Sequence, residues 1–177
     1  MHTLVVGGTG MLAGVTRWLA EQGHIVSVVS RRAKTFGHVS YRKSLNAIAV
    51  DYRDTAPLRH RIAEAIAAYG PIGLAVFWIH TDAEEAFGII AGEISNHVGI
   101  PWRLFHVRGS AAYLHPEPPK VPPNCMYRQV VLGFVAEETG SRWLTHAEIT
   151  GGLVEAIRSD CERLVVGTLE PWEKRPV

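Results

Sequence analysis

Apolar residues follow one another along this chain in two alternating rhythms. The first is short and continuous. Thr3 to Val6, Ile25 to Val29, Ala47 to Val50, Ile72 to Ile79 and Trp102 to Val107 are runs rich in Val, Ile and Leu. Such runs fit strands buried on both faces, as in a parallel sheet. The second rhythm has helical spacing. Leu12, Val15, Leu19 and Ala20 share one face of a helix predicted over 11–22, and Gly23 stands where a left-handed residue ends it. Leu58, Ile62, Ala65 and Ile66 mark a second helix, opened by Asp54 or Thr55 with Pro57 in its first turn and ended at Gly70. Ala86, Ile89, Ile90 and Ile94 mark a third, which ends near Gly99 and for which Thr81 and Glu84 form a capping box.

Beyond Val107 the alternation breaks. His115 to Asn124 holds five prolines and no periodicity, and reads as a loop. Tyr127 to Val135 predicts a sixth strand. Thr145 and Glu148 form a second capping box, opening a helix with Ile149, Leu153, Val154 and Ile157. Arg163 to Leu169 predicts a seventh strand, and the polar tail from Glu170 to Val177 is expected to be only partly ordered. The fold class is therefore α/β: a doubly wound, mainly parallel sheet of six or seven strands with helices on both faces, in one domain over 1–177. With no helix between strands five and six, the sixth runs antiparallel, or parallel through the long loop.

The turn from first strand to first helix carries the chemistry. Gly7-Gly8-Thr9-Gly10-Met11-Leu12 follows the apolar strand, with Ala13 and Gly14 opening the helix. Such a turn lets the backbone approach a pyrophosphate without a Cβ in the way. The first-turn amides and the helix dipole then face the phosphates. A small residue at Ala13 or Gly14 lets the helix pack close to the strand. This is a variant of the Rossmann dinucleotide fingerprint, in its required strand–turn–helix–strand setting. A Rossmann-like scaffold without nucleotide is the plain alternative.

The end of the second strand reads out the ribose. An Asp or Glu there would hold a 2′-hydroxyl, but the sequence has Ser30-Arg31-Arg32. Guanidinium groups pair with a 2′-phosphate, so NADP(H) is the expected cofactor and NAD(H) the second choice. The alternative is that Arg31 and Arg32 are solvated charges.

With these residues the chain resembles the short-chain dehydrogenase/reductase superfamily, nearest its extended and atypical branches, over about residues 1–110. The resemblance implies that Asp51-Tyr52 lies beside the adenine. It also puts Trp78-Ile79-His80 near the ribose and nicotinamide, where most members carry Asn-Ala-Gly. The superfamily's catalytic Ser has a counterpart in Ser110. Its Tyr-x-x-x-Lys does not: Tyr113 is followed four later by Glu117, and Tyr127 by Val131. A tyrosine near its usual pKa of about 10 is a poor acid at neutral pH. His80 is the candidate substitute as proton donor, with Ser110 and Tyr113 orienting a carbonyl. Thr81, Asp82 and Arg108 stand nearby. Two functions follow: an NADP(H)-dependent oxidoreductase acting on a small carbonyl-type substrate, or a non-catalytic NADP(H)-binding redox sensor.

Composition narrows the rest. The chain is 47% hydrophobic and 20% charged with a net charge of +1, so neither nucleic acid nor membrane is an expected partner. Cys125 and Cys161 are too few for a disulfide framework, and no leader or membrane-spanning run is evident, which makes the cytoplasm the default. None of the nine histidines has metal-ligand spacing, so no metal is expected. Tyr127 to Phe134 is apolar enough for a subunit contact, and so a homo-oligomer, if it lies at a sheet edge.

Overall fold

A computed structural model describes residues 1–36 and 43–176; the side chain of Glu84 lies outside the description. Seven strands form one sheet: β1 (His2–Val6), β2 (Ile25–Val29), β3 (Leu45–Ile48), β4 (Ile72–Phe77), β5 (Trp102–Arg108), β6 (Cys125–Leu132) and β9 (Arg163–Val166). Their order is β3-β2-β1-β4-β5-β6-β9, and every neighbouring pair is parallel. The doubly wound architecture expected from the sequence is therefore present, and the sixth strand is parallel to the fifth.

Strand alternation divides the core in two. Leu4, Val6, Phe77 and Leu104 face helices α2 (Thr55–Tyr69) and α3 (Glu84–His97) on one side of the sheet. Val5, Val28, Phe105 and Val130 face α1 (Ala13–Glu21) and α4 (His146–Ser159) on the other. Helix α1 ends as expected: Gly23 has φ 80°, its amide donates to the Ala20 carbonyl, and the His24 amide donates to that of Leu19. The α4 capping box is complete, with Thr145 Oγ1 accepting from the Glu148 amide and the Glu148 carboxylate accepting from the Thr145 amide.

Several boundaries move. The third strand is 45–48 rather than 47–50, and the fourth ends at Phe77. A 3-10 turn at Thr81–Ala83 precedes α3, so Ala83 rather than Thr81 is its N-cap. The run predicted as one strand over 127–135 splits at Gly133. There the chain leaves the sheet and enters an antiparallel hairpin of β7 (Phe134–Glu137) and β8 (Gly140–Trp143). A Cβ at Gly133 would strike the Thr168 carbonyl, because Phe134 and Thr168 exchange backbone hydrogen bonds of 2.9 and 2.8 Å. The last strand consequently stops at Val166. Nor does 127–134 lie at a sheet edge, since β9 pairs with β6 from Gln129 to Leu132. The premise for a subunit contact there is removed. The tail is ordered through 176 by side chains: Trp172 stacks on Tyr113, and Arg175 lies over Trp143 and Trp172.

Candidate functional site

The three glycines of the turn have different roles. Gly7 has φ 79°, and an added Cβ would stand 2.8 Å from the Trp78 carbonyl, so both backbone conformation and the approach of β4 require it. Gly8 faces inward: a Cβ would lie 2.9 Å from Thr16 Oγ1 and from Val28 Cγ1. Gly10 has nothing within 4 Å of its Cβ position among the described residues. This leaves the mouth of the turn open to a ligand. Gly14 packs against Thr150 of α4, so its small size serves helix–helix contact rather than the helix–strand contact expected. Thr16 donates to the carbonyls of Gly8 and Leu12 at 3.0 and 2.9 Å, which pins the turn to α1. The first turn of α1 has no acidic residue, and Leu12 makes no side-chain cap. Its positive dipole end is left for an anion.

Around this turn lies a cleft of about 270 Å³, lined by Gly7, Gly10, Met11, Val29, Ser30, Arg31, Asp51, Tyr52, Arg53, Trp78 and His80. It brings together three strand ends that the sequence reading treated separately. Of the other residues expected there, Thr9 is not part of the lining but hydrogen-bonds Ser30, which is, at 2.6 Å, and Leu12 is fully buried in the core. Gly8, Arg32 and Ile79 also fall outside the lining. Arg53 is the residue sequence reasoning missed. Its Nη2 donates to Asp82 Oδ2 at 2.7 Å, and its guanidinium stands 5.6 Å from the Tyr52 ring centre. Its hydrogen bond is also the main reason the Asp82 carboxyl sits below the usual range. No periodicity or motif marks Arg53. Only its position two residues after Asp51 could have drawn notice.

A second, larger cavity of about 550 Å³ opens beside the first. Trp78 and His80 line both. Its walls are mostly apolar, from Ile79, Phe87, Val107, Ala112, Pro118 and Pro119, with His80, His106, Arg108, His115 and Glu117 as polar members. The cavity lies at the carboxyl end of β5, between the segment that follows β4, Phe87 of α3 and the loop that leaves β5. Arg108 braces that loop, donating from Nη2 to the His115 carbonyl at 2.8 Å and from Nη1 to the Glu117 carbonyl at 3.1 Å.

The three predicted catalytic residues are separated. His80 stands on the exposed rim shared by both spaces. Ser110 is buried and receives a 3.4 Å contact from Arg175 Nη1, and Tyr113 donates to Glu170 Oε1 at 2.9 Å. Neither lines the cavity, because the ordered tail draws both toward itself. The Glu170 carboxylate raises the Tyr113 pKa above its usual value. His106 is instead the histidine of the cavity floor. Burial, aided by the Arg108 charge, pushes its pKa down to about 3. No pattern in the chain singles it out, since it is one more inward position of a strand.

Sequence comparison finds no matching family model and no matching curated protein. Comparison of structures does find relatives in shape. A short-chain dehydrogenase/reductase from Serratia marcescens is 16% identical with a TM-score of 0.67, covering 94% of this chain and 95% of that one. A Burkholderia cenocepacia short-chain dehydrogenase in complex with NADP is 14% identical with a TM-score of 0.69, covering 93% and 95%. An apo SCOR enzyme from Clostridium thermocellum is 14% identical at 0.69, covering 99% and 93%. The chain thus has the short-chain dehydrogenase/reductase fold, over nearly its whole described length. Among the described residues no helix is long and apolar enough to cross a membrane.

Proposed function

We propose that this chain binds NADP(H) in the glycine-turn cleft and is an oxidoreductase acting on a small carbonyl compound in the adjoining cavity. The observation that carries this reading is the shared wall: Trp78 and His80 line both spaces, so a dinucleotide lying across the first would present its nicotinamide end to the second. The cradle fits the cofactor. Gly10 leaves room for a pyrophosphate, α1 begins just beyond Met11 of the lining with no acidic residue in its first turn, and Arg31 lines the cleft beside Ser30, ready for a 2′-phosphate. Arg32 is exposed outside the lining, which leaves Arg31 as the main contact. NAD(H) remains the second choice. The Burkholderia protein of similar fold, captured with NADP, supports the same preference.

A redox-sensing role without turnover is the second reading. The loop over 109–124, standing where a Tyr-x-x-x-Lys helix would be, favours it. Titration of NADPH and NADH, followed by tryptophan fluorescence, tests the cofactor reading. Tighter binding of NADPH is expected, and Arg31→Ala should remove the preference. Saturation with neither nucleotide would overturn the function altogether. Oxidation of bound NADPH by a panel of small aldehydes and ketones separates enzyme from sensor.

A further inference from the structure

We propose that His106 is the group that meets the substrate's carbonyl oxygen and gives it a proton, with Tyr127 as the positioning residue that fixes its tautomer. This rests on the reading of the cavity as a substrate site. On one face of the sheet β5 and β6 bring together His106, Tyr127 and Gln129, and of the three His106 lines the cavity. His106 and Gln129 lie directly opposite each other in the register. Buried polar groups are costly unless partnered, so a cluster of them behind a cavity wall needs a reason.

The His106 ring is held on two sides. Its Nδ1 is 2.9 Å from the Tyr127 hydroxyl, and its centre is 4.8 Å from that of Phe87 on α3. Its Nε2 makes no hydrogen bond among the described residues and is not among the sealed, unpartnered polar atoms. The ring lines the cavity, so Nε2 is the edge open to a ligand. The tautomer follows from the pair itself: a phenol is a better donor than a neutral imidazole, and an imidazole nitrogen a better acceptor than a phenol oxygen. The phenolic proton therefore points to Nδ1, and the imidazole carries its own proton on Nε2. Gln129, 6% exposed, keeps its amide nitrogen sealed and without a partner among the described residues.

The charged and titratable groups facing His106 are few among the described residues. Arg108 comes from its own strand and Tyr127 from β6, while α3 contributes only the Phe87 ring. His80 stands on the far rim, and His115 and Glu117 line the loop wall. Burial and Arg108 together keep the ring neutral at physiological pH, a donor at Nε2 and not an imidazolium. Arg108 is committed to two loop carbonyls and the walls are mainly apolar, so the ligand class is a small neutral aldehyde or ketone. NADPH, when bound, supplies hydride to the carbonyl carbon. As the C=O π pair moves onto oxygen, His106 Nε2 releases its proton there and Nδ1 takes the phenolic proton of Tyr127. A solvent proton then reaches Nε2 from the cavity side while Nδ1 returns its proton to the Tyr127 oxygen, so each carbonyl reduced consumes one solvent proton.

The test uses the whole protein with ¹⁵N-labelled histidine and benzamide as an inert carbonyl probe. His106 should show a neutral ring with the proton on Nε2 throughout pH 5–8, and Tyr127→Phe should mix the tautomers. Benzamide added to NADP⁺-loaded protein should shift the His106 Nε2–H signal. His106→Ala should weaken benzamide about tenfold, the loss of one buried hydrogen bond, and His106→Gln, which keeps a donor, should recover part of it. Binding of NADP⁺ should be unchanged in each variant. An Nδ1–H tautomer, ordinary titration of His106, absence of benzamide binding, or equal benzamide affinity in His106→Ala would each overturn the proposal. Failure of NADP⁺ itself to bind would instead overturn the cofactor reading, and benzamide binding to the bare protein distinguishes the two.

Discussion

Trp78 meets His80 edge to face with ring centres 5.7 Å apart, and the pair partitions the two clefts. The Trp78 indole spans the site. Its Cδ1 is 3.4 Å from the Cβ position of Gly7 and its Cη2 3.9 Å from that of Gly109. An indole so placed reports on whatever enters. Most of the fluorescence quenching by NADPH is therefore expected to come from Trp78, although the chain has five tryptophans. In Trp78→Phe the quenching should be largely lost while calorimetry still registers binding. Full quenching in that variant would put the nucleotide elsewhere.

Arg108 does for the proline-rich loop what a helix does for its own backbone: it satisfies carbonyls that the loop cannot pair internally. Hydrogen bonds from a charged donor contribute about 1.5–3 kcal/mol when buried, and less here because the site is partly open. Arg108→Ala is expected to raise amide exchange across 109–124 without affecting β1, β2 or α1. Unchanged exchange in the loop would mean that the prolines alone hold it.

Gly14 gives a packing prediction. A methyl at that position would overlap the Thr150 side chain of α4, in a contact that joins the two helices on one face of the sheet. Gly14→Ala should destabilise by about 1–3 kcal/mol, the usual range for overpacking, and the smaller pair Gly14→Ala with Thr150→Ala, which removes the hydroxyl and methyl it would strike, should recover part of it. Chemical denaturation of the single and double variants beside the native chain measures both.

The sequence was most legible where one residue's neighbours in the chain are also its neighbours in space. The β2 boundaries, the glycine that ends α1 and the capping box of α4 are local, and they appear where the pattern put them. The miss at Gly133 has another origin. Nothing near it in the chain reveals that Thr168 will lie against it, so an unbroken apolar run conceals a change of sheet. Tyr113 is similar: its partners Glu170 and Trp172 arrive from the far end of the chain. His106 and Arg53 owe their places to the meeting of several strand ends, which no spacing rule encodes.

The α4 capping box carries a pH dependence. Glu148 is drawn down to about 2, first by the Arg142 guanidinium and then by the Thr145 amide and hydroxyl. A carboxyl with a depressed folded-state pKa stabilises the fold above its unfolded value, near 4.5, and that contribution is lost as pH falls toward 2. The urea midpoint of the native chain should exceed that of Glu148→Gln at pH 6. The gap should narrow below pH 4.5 and close near pH 2. A gap independent of pH over that window would exclude the ionised carboxylate as its source.

The loop that roofs the larger cavity adds no rung to any ladder, yet its five prolines between 115 and 124 restrict the chain before folding begins. Less freedom is then surrendered when it closes over β5 and β6 than a flexible stretch of equal length would lose. Because the sheet does not depend on it for backbone pairing, substitutions in this roof can reshape what the cavity admits while the glycine-turn half of the molecule stays as it is.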